Sequence, residues 1–392
     1  MTVAIYDRWP KRMLIGEGAG AQLAEEVKLL GASKVLFLTD TGIANLPFIL
    51  EMEEALRAAG LELCVYDQIR PHPTDKNVEE AVAAAKAFGV EVIVSVGGGS
   101  PMDCARGIKA VLAYGGDIRD HMLPGRKIQY NRKDMLPHIA VPTTAGTGGE
   151  VAGGGAIYGP DLETGEMMEI GLGDSALVPD IAVIDPLLTI SLPPLPTAFT
   201  GMDVLTHAVE CVFSTKDFAL SDGLSYEAIS MVEEHLRNAV HEPQNMAARE
   251  AMLVAAMMAT VAFGQTRLGL CHSMAMSLSV IADIPHGTGN ALLLPHIYRY
   301  NATARPERAL RIAWALGVPQ GLSTEETVKQ GTDKITQLLI DTGLPVWLDD
   351  TKFTKEDIPR AAVMAKHCGF TYTNPIIPTE DEIAELYMEC FK

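Results

Sequence analysis

Four residues in the second half of the chain could hold a metal ion. Asp203 and His207 stand four positions apart among mostly apolar neighbours, and on a helix such a pair shares one face at a separation that two ligands can bridge. His272 and His286 follow, fourteen positions apart, which is about 21 Å along a straight helix, so the chain must turn between them. Pro285 supplies a break. One carboxylate and three imidazoles would suit Fe²⁺ or Zn²⁺ and leave a coordination position open for substrate; the alternatives are a surface ion pair and structural histidines.

A glycine-rich turn in the first half could hold a phosphate. The β-branched run at 91–96 leads directly into Gly97-Gly98-Gly99-Ser100. Glycines between a strand and a helix let backbone N–H groups approach a phosphate, and the helix N-terminus adds partial positive charge. The same residues could form a plain helix start, with Ser100 as the N-cap and Asp103 in the first turn. Three glycines exceed what capping needs, so the turn favours a dinucleotide pyrophosphate, although the pattern is not GxGxxG.

Two further features favour a nucleotide. Thr143, Thr144 and Thr147 lie in a run of small residues after another β-branched run, and their hydroxyls could bind ribose and phosphates or form an ordinary polar loop. Asp40 ends the strand-like run that begins at Lys34. A carboxylate in that place can bind ribose hydroxyls and repel a 2′-phosphate, which favours NAD over NADP.

The elements that position the glycine and threonine runs alternate between strand and helix. This order predicts βαβ units and a parallel sheet, hence an α/β domain. The predicted strands are 34–39, 61–66, 90–96, 138–142 and 181–184, and the predicted helices are 48–59, 78–88 and 103–114.

The pattern changes after the prolines at 193 and 194. Long apolar-periodic stretches dominate from there, which predicts an all-helical half. We therefore expect two domains, 1–192 and 193–392. The longest nearly apolar stretch, 251–263, is shorter than the roughly 20 residues of a membrane helix and is expected to be a buried helix. The predicted helices are 221–240, 246–263, 307–316, 324–342, 359–365 and 380–391.

Taken together, these motifs resemble the iron-containing (group III) alcohol dehydrogenase family over nearly the whole chain. The resemblance implies a dehydroquinate synthase-like fold, with an N-terminal α/β dinucleotide-binding domain and an all-helical C-terminal domain. It implies that Asp203, His207, His272 and His286 bind a divalent metal, typically Fe²⁺, at the cleft between the domains, and that NAD(H) lies along Asp40, 97–103 and 143–147. Members interconvert small alcohols and aldehydes and are commonly dimers or larger homo-oligomers.

This chemistry is consistent with the residues themselves. A divalent ion stabilises the alkoxide of an alcohol or polarises the carbonyl of an aldehyde, so that hydride can pass to or from a nicotinamide near neutral pH. The chain therefore has to hold the carbinol carbon against the cofactor ring.

The chain departs from the family pattern near its expected substrate side. Met276 stands where many members have a histidine four residues after the third ligand. Arg267 stands where members usually have a small or uncharged residue, and 153–155 are three glycines where members are often bulkier. We expect Arg267, Phe263 and Gly154 on the substrate side. There Arg267 would recognise an anionic short aldehyde bearing a sulfonate, carboxylate or phosphate, unless it forms an ordinary ion pair.

Composition excludes several other classes. The 392 residues include 31 Lys plus Arg against 50 Asp plus Glu, a formal net charge of −19, which disfavours nucleic acid and anionic membranes. The six cysteines show no CxxC pair, which favours a reducing compartment. The N-terminal residues reach charge before any apolar run, so we expect no secretory signal and a cytoplasmic protein.

Three alternatives stay open from the residues. One is a relative with the same two-domain plan and other NAD- and metal-dependent chemistry, such as a glycerol dehydrogenase or a dehydroquinate synthase-like enzyme. Another is a metal-dependent hydrolase, which would need a general base; Glu150 and His367 are the loose candidates. A non-catalytic nucleotide-binding protein would leave the metal set unexplained.

Overall fold

The computed structural model describes residues 9–123, 125–160 and 167–392. They divide into two compact units. The first unit runs to Thr144 and resumes at Gly148–Thr189, and the second comprises Ala145–Thr147 and Ile190–Lys392. The division at Thr189 lies three residues before the boundary expected from the proline-rich segment, and a short piece of the threonine run belongs to the second unit.

The first unit contains a six-stranded sheet in which every described pairing is parallel, in the order β1-β8-β5-β4-β2-β3. A separate antiparallel hairpin pairs β6 with β7. The parallel sheet predicted from the sequence is confirmed, whereas β1 and the two hairpin strands are not among the strands predicted from the apolar runs. The strands are β1 Arg12–Ile15, β2 Lys34–Asp40, β3 Glu62–Ile69, β4 Val92–Gly97, β5 His138–Pro142, β6 Gly154–Pro160, β7 Met167–Gly173 and β8 Ile181–Ile184.

Four helices cover the two faces of this sheet. Val35 and Phe37 of β2 pack with the first two helices, while Leu36 and Leu38 pack with the next two. Because both faces are covered, the strands are continuous apolar runs rather than alternating ones. These helices are α1 Leu23–Leu29, α2 Pro47–Ala58, α3 Asp75–Phe88 and α4 Gly99–Tyr114.

In the second unit, the described residues 190–392 form helices joined by turns, as predicted. Prolines at the first turn start several of them, because a proline there needs no N–H partner. One apolar core runs through the helices. They are α5 Pro194–Phe213, α6 Ala219–His241, α7 Met246–Thr266, α8 Leu270–Ala282, α9 His286–Ala302, α10 Pro306–Ala315, α11 Thr324–Asp341, α12 Ile358–His367 and α13 Glu380–Glu389.

Helix α7 contains the apolar stretch noted in the sequence. Within the described residues it is the one helix whose length and composition would allow it to cross a membrane, with a mean hydropathy of 1.5. Two thirds of that window, 67%, is buried inside the protein, as in the core helix of a folded domain. The expected buried helix is therefore present, and it extends to Thr266.

Candidate metal centre

Helix α5 presents three polar side chains along one buried face. Asp203, His207 and Glu210 are spaced i, i+4 and i+7, and each is less than 5% exposed. The helix begins at Pro194 and is apolar around these positions, so its polar side chains must find partners inside the protein. His207 Nε2 lies 3.7 Å from Asp203 Oδ1.

Two further helices bring the other predicted ligands to the same carboxylate. His272, on the first turn of α8, places Nε2 3.5 Å from Asp203 Oδ1. Its ring stacks on that of His207 with a centroid separation of 4.8 Å. His286, the first residue of α9, places Nε2 3.9 Å from the same oxygen. The chain reverses between the two helices at Asp283, which has a left-handed backbone, and at Pro285.

The donor atoms of Asp203, His207 and His272 all lie within 4.8 Å of one another. His286 is the most exposed of the four residues, its side chain being 40% exposed, while the other three are buried. The structure therefore brings together all four residues that the spacing singled out, with solvent access on the His286 side.

Sequence reasoning missed Asn290, which lies one turn after His286 on α9 and is fully buried. Its side-chain amide donates to Asp203 Oδ1 at 2.7 Å and lies within 3.2 Å of the Nε2 atoms of His272 and His286. The spacing of four from His286 was the one signal available, because it places both side chains on one helix face.

Glu210 was the second omission. Its carboxylate accepts from Nδ1 of His272 at 2.6 Å and from backbone amides at the start of α8. A spacing of seven from Asp203 could have indicated that it shares the ligand face of α5.

The charges of this cluster depend strongly on one another. Burial alone would raise the pKa of Asp203, but His207, His272 and His286 hold it well below its usual range. Burial lowers the pKa of His207, against the opposing effect of Asp203. His272 differs: burial opposes its charge, yet Glu210 and Asp203 raise its pKa. The cluster thus combines an ionised carboxylate with a His207 imidazole that stays neutral, which is the form that ligates a metal.

These residues fit a divalent cation. The set offers one carboxylate oxygen and three imidazole nitrogens, donors that suit Fe²⁺ and Zn²⁺. In addition, His207 Nδ1 and Asn290 Oδ1 are buried without a hydrogen-bond partner among the described residues. Neither atom is the one that faces Asp203, so the fit to a cation rests on the four donor side chains themselves.

Aromatic and sulfur-containing side chains line the cluster. Phe263 of α7, predicted to lie on the substrate side, packs 4.8 Å from the His207 ring, and Phe370 packs edge-on to His272. Met276 lies one turn after His272, and its sulfur is 3.8 Å from Cys368 Sγ. No described contact therefore gives a proton relay at Met276.

Arg267 follows the last residue of α7 with φ 60° and ψ 173°. This combination is strained for any residue but glycine. The side chain is exposed, and no ion pair or hydrogen bond of its guanidinium occurs within the described part of the chain. The ordinary ion pair considered as the alternative is thus not found there.

In the first unit, the ends of three neighbouring strands bring several predicted cofactor residues together. A side chain at Gly97 would lie 3.0 Å from the carboxylate of Asp40 and 2.7 Å from the ring of Pro101. Gly97 also has a positive φ of 149°, so both the lack of space and the backbone conformation require glycine there. A side chain at Gly98 would meet Thr144 at 3.4 Å, and Thr143 donates its backbone N–H to Gly97. Ligands of parallel sheets bind at this edge.

The helix start after the glycines differs from the expectation. Helix α4 begins at Gly99 with Gly98 as its N-cap, so Ser100 is not the cap and no side chain caps this end. The helix N-terminus therefore lies two residues nearer to the strand, with its first amides next to Gly98.

Asp103 has a structural role that was not predicted. One of its oxygens accepts from Arg106 at 2.5 Å and the other from the backbone of Ala156 at 3.1 Å. Arg106 is fully buried and also donates to the carbonyls of Gly149 and Ala152. The pair joins α4 to the turn after the threonine run, and the predicted role of Asp103 toward the cofactor stays a prediction.

Two of the three glycines at 153–155 do not leave room for a substrate. A side chain at Gly153 would overlap the backbone carbonyl of Asp174, and one at Gly155 would overlap the carboxylate of Asp103. The small residues are thus needed for close packing of the hairpin. Gly154 pairs with Gly173 in that hairpin, and its role toward substrate stays a prediction.

Three further candidate residues from the sequence, Thr147, Glu150 and His367, have different surroundings. Thr147 belongs to the second unit, where its carbonyl accepts from Thr260 at 3.0 Å. Glu150 is fully buried, and burial raises its pKa to about 7. His367 is exposed at the end of α12, with Nδ1 2.8 Å from the carbonyl of Val363.

Comparison with known proteins defines the class to which this fold and donor set belong. Residues 10–186 match the family model for iron-containing alcohol dehydrogenase, and residues 197–391 match that for the C-terminal part of the Fe-containing alcohol dehydrogenase family. The chain belongs to the iron-containing alcohol dehydrogenase family.

Three relatives are similar over almost their whole length. The chain is 35% identical to 1,3-propanediol dehydrogenase of Klebsiella pneumoniae, covering 97% of each chain. It is 34% identical to lactaldehyde reductase of Escherichia coli strain K12, covering 95% of this chain and 96% of that one. It is 31% identical to the NAD-dependent methanol dehydrogenase of Bacillus methanolicus, covering 96% and 97%.

Solved structures give the same result. A crystal structure of 1,3-propanediol oxidoreductase superposes with a TM-score of 0.94 at 35% identity, with both chains fully covered. Sulfoacetaldehyde reductase from Bifidobacterium kashiwanohense, in complex with NAD⁺, superposes with a TM-score of 0.88 at 27% identity, covering 100% and 99%. The chain is therefore an oxidoreductase of the alcohol and aldehyde class in its fold and family.

Proposed function

We propose that this chain is a metal-dependent, NAD(H)-linked alcohol dehydrogenase that interconverts a small primary alcohol and its aldehyde. The observation that carries the proposal is the convergence of Asp203, His207, His272 and His286 around one carboxylate oxygen. A divalent cation held by these four side chains, Fe²⁺ or Zn²⁺, would polarise an aldehyde carbonyl or stabilise an alkoxide.

The protein side chains prepare this reaction in several ways. Asp203 brings one negative charge into a buried cluster, so a divalent cation retains net positive charge toward the substrate oxygen. His286 lies on the solvent-accessible side, which leaves a route for a small substrate. The ring of Phe263 beside His207 keeps water from that side of the cluster.

The first unit supports the NAD(H) part of the proposal. Asp40, Gly97, Gly98 and Thr144 meet at the carboxyl edge of the sheet, where Asp40 can accept from ribose hydroxyls and the glycines let a pyrophosphate approach the start of α4. The similarity to the NAD-dependent methanol dehydrogenase of Bacillus methanolicus favours the same cofactor. A nicotinamide bound there would accept or supply the hydride.

We also propose that the substrate is a short aldehyde with an anionic group. Arg267 favours this because its guanidinium is exposed, has no described partner and is held by a strained backbone immediately before α8. A guanidinium recognises sulfonate, carboxylate or phosphate with two parallel hydrogen bonds. The similarity to sulfoacetaldehyde reductase is compatible with such a substrate.

The main proposal is tested by removing metal from the protein and restoring Fe²⁺ or Zn²⁺ under anaerobic conditions. NADH oxidation is then followed with neutral and anionic short aldehydes. We expect metal-free protein to be inactive and the restored protein to oxidise NADH. Asp203→Asn should lose roughly 100-fold or more of kcat/KM, because it removes the charged ligand.

Asp283→Asn is the matched control, since Asp283 is an exposed carboxylate in the turn between α8 and α9. It should retain the parent rate. NADH binding without metal-dependent oxidation of any aldehyde would contradict the dehydrogenase and favour a synthase-like relative.

A further inference from the structure

We infer that Glu210 is the positioning residue of the metal centre. It fixes the orientation and the proton position of His272, so that Nε2 of this ring faces the metal. The inference rests on the proposed function, in that it concerns the cation which Asp203 and the three histidines would hold. Glu210 itself touches neither this cation nor the substrate.

A short hydrogen bond joins the side chains of Glu210 and His272. Nδ1 of His272 lies 2.6 Å from Oε2 of Glu210, and both side chains are at most 2% exposed. An ionised carboxylate only accepts hydrogen bonds, so Nδ1 must carry the proton. The ring nitrogen that can offer its lone pair to a metal is then Nε2, which lies 3.5 Å from Asp203 Oδ1.

Glu210 also accepts hydrogen bonds from the start of the helix that carries His272. Backbone N–H groups at the start of a helix lack partners within the helix. Here Oε2 of Glu210 accepts from Gly269 at 3.0 Å, while Oε1 accepts from Cys271 at 2.6 Å and His272 at 3.4 Å. The negative charge also lies at the positive end of the α8 dipole. One carboxylate therefore ties α5, with two of the ligands, to the first turn of α8, with the third.

The corresponding amide, glutamine, does not meet these demands. An amide at position 210 would have one acceptor oxygen and one N–H₂ group. If the N–H₂ group faced Nδ1 of His272, it would draw the ring proton to Nε2 and block ligation. If it faced the other way, it would oppose the N–H groups of Cys271 and His272. Glu210→Gln therefore changes the donor pattern while keeping the size and shape of the side chain.

Asn374 offers a matched control for the capping effect alone. Its Oδ1 accepts from the backbone N–H of Leu270 at 3.3 Å, and its amide pairs with that of Asn301. It thus satisfies the remaining N–H group at the start of α8, but no described hydrogen bond joins it to His272. Asn374→Ala weakens the same helix end without acting on the ring proton.

The experiment measures Zn²⁺ affinity of the metal-free full chain in competition with a chromophoric chelator. We expect the parent to bind one Zn²⁺ tightly, Glu210→Gln to bind roughly 10- to 100-fold more weakly, and Asn374→Ala to stay within about threefold. With Co²⁺ as the probe, the visible absorption of Glu210→Gln should shift, while that of Asn374→Ala should match the parent.

The possible failures are distinguishable. If the parent binds no Zn²⁺, the metal part of the proposed function is wrong and the inference fails with it. If the parent binds Zn²⁺ and Glu210→Gln binds it equally well, the inference alone is overturned. Should Glu210→Gln not fold, nitrogen NMR of Zn²⁺-loaded parent with ¹⁵N-labelled histidine decides the matter. We expect the zinc-shifted ring of His272 to keep its proton on Nδ1, and a His272 ring bound through Nδ1 with a proton on Nε2 would overturn the inference.

Discussion

The candidate metal centre consists of polar side chains, most of them buried, that interact with one another. Asp203 lies within 4 Å of three imidazoles and accepts a hydrogen bond from Asn290. Glu210 accepts a hydrogen bond from Nδ1 of His272, on the side of the ring away from Asp203. Such a network is costly when one member is removed, because the others remain buried without a partner. The chemistry of the site therefore depends on residues that would not themselves touch substrate.

Arg267 gives the sharpest test of substrate class. Arg267→Ala should lower kcat/KM for an anionic aldehyde such as sulfoacetaldehyde, while kcat/KM for a neutral aldehyde of similar length changes little. We expect a roughly 10- to 100-fold change in the ratio, because hydrogen bonds to a charged group contribute about 1.5–3 kcal/mol. The ratio is measured from initial rates of NADH oxidation.

Arg360→Ala is the control for loss of a positive charge, because Arg360 is exposed on α12. It should leave the ratio unchanged. If the ratio of kcat/KM for anionic and neutral aldehydes stays the same in Arg267→Ala, the proposal of an anionic substrate is wrong and the dehydrogenase proposal is unaffected.

The sequence identified the four candidate ligands because their spacing places chemical groups on one helix face or beside a helix break. It did not identify Asn290 and Glu210, since a polar residue within an apolar helix is equally consistent with a surface position. The alternative in which Ser100 caps the helix is wrong, and the glycines at 153 and 155, interpreted as substrate space, are closely packed instead. Those outcomes depend on neighbours far away in the chain, which spacing does not reveal.

Close approach of α9 to α5 sets the distance between His286 and Asp203. A side chain at Gly287 would overlap the carbonyl oxygen of Phe199, which lies one turn before Asp203, and would be 2.8 Å from its carbonyl carbon. Backbone atoms cannot move aside as a flexible side chain can. Gly287 is therefore the residue that allows the fourth candidate ligand to reach the other three.

Gly287→Ala should lower the free energy of unfolding by about 1–3 kcal/mol, because overpacking forces the two helices apart. It should also weaken Zn²⁺ binding, since His286 moves with the start of α9. Chemical denaturation and chelator competition measure the two effects.

Gly223→Ala is the matched control. Gly223 lies within α6, and a side chain there would have no atom within 4 Å. It should raise stability by roughly 0.5–1 kcal/mol, because alanine restricts the unfolded chain. Equal stability of the Gly287→Ala and parent proteins would show that the helix contact is not as close as described.

Most regular elements could be predicted from apolar periodicity. The strand at Lys34–Asp40 and the helix at Thr324–Asp341 differ from their predicted bounds by one residue at a single end. In contrast, β1 is only four residues long, and the β6–β7 hairpin is rich in glycine, so neither carries a clear pattern. Both were missed for that reason.

Across the whole chain, each of the two units has its own apolar core. The division at Thr189 lies three residues before the boundary predicted from the proline-rich segment, which separates the two patterns. The sequence could not assign Ala145–Thr147 to the second unit. That assignment depends on Thr260, which donates to Thr147, and on Gly146, where a side chain would lie 2.8 Å from Thr200.

We propose above all that Asp203, His207, His272 and His286 together hold a divalent cation. Anomalous diffraction at the zinc absorption edge, from crystals of the Zn²⁺-loaded protein, tests it most directly. We predict one strong peak per chain, about 2.0–2.2 Å from a carboxylate oxygen of Asp203 and from Nε2 of the three histidines. No peak, or a peak at other residues, would contradict the claim.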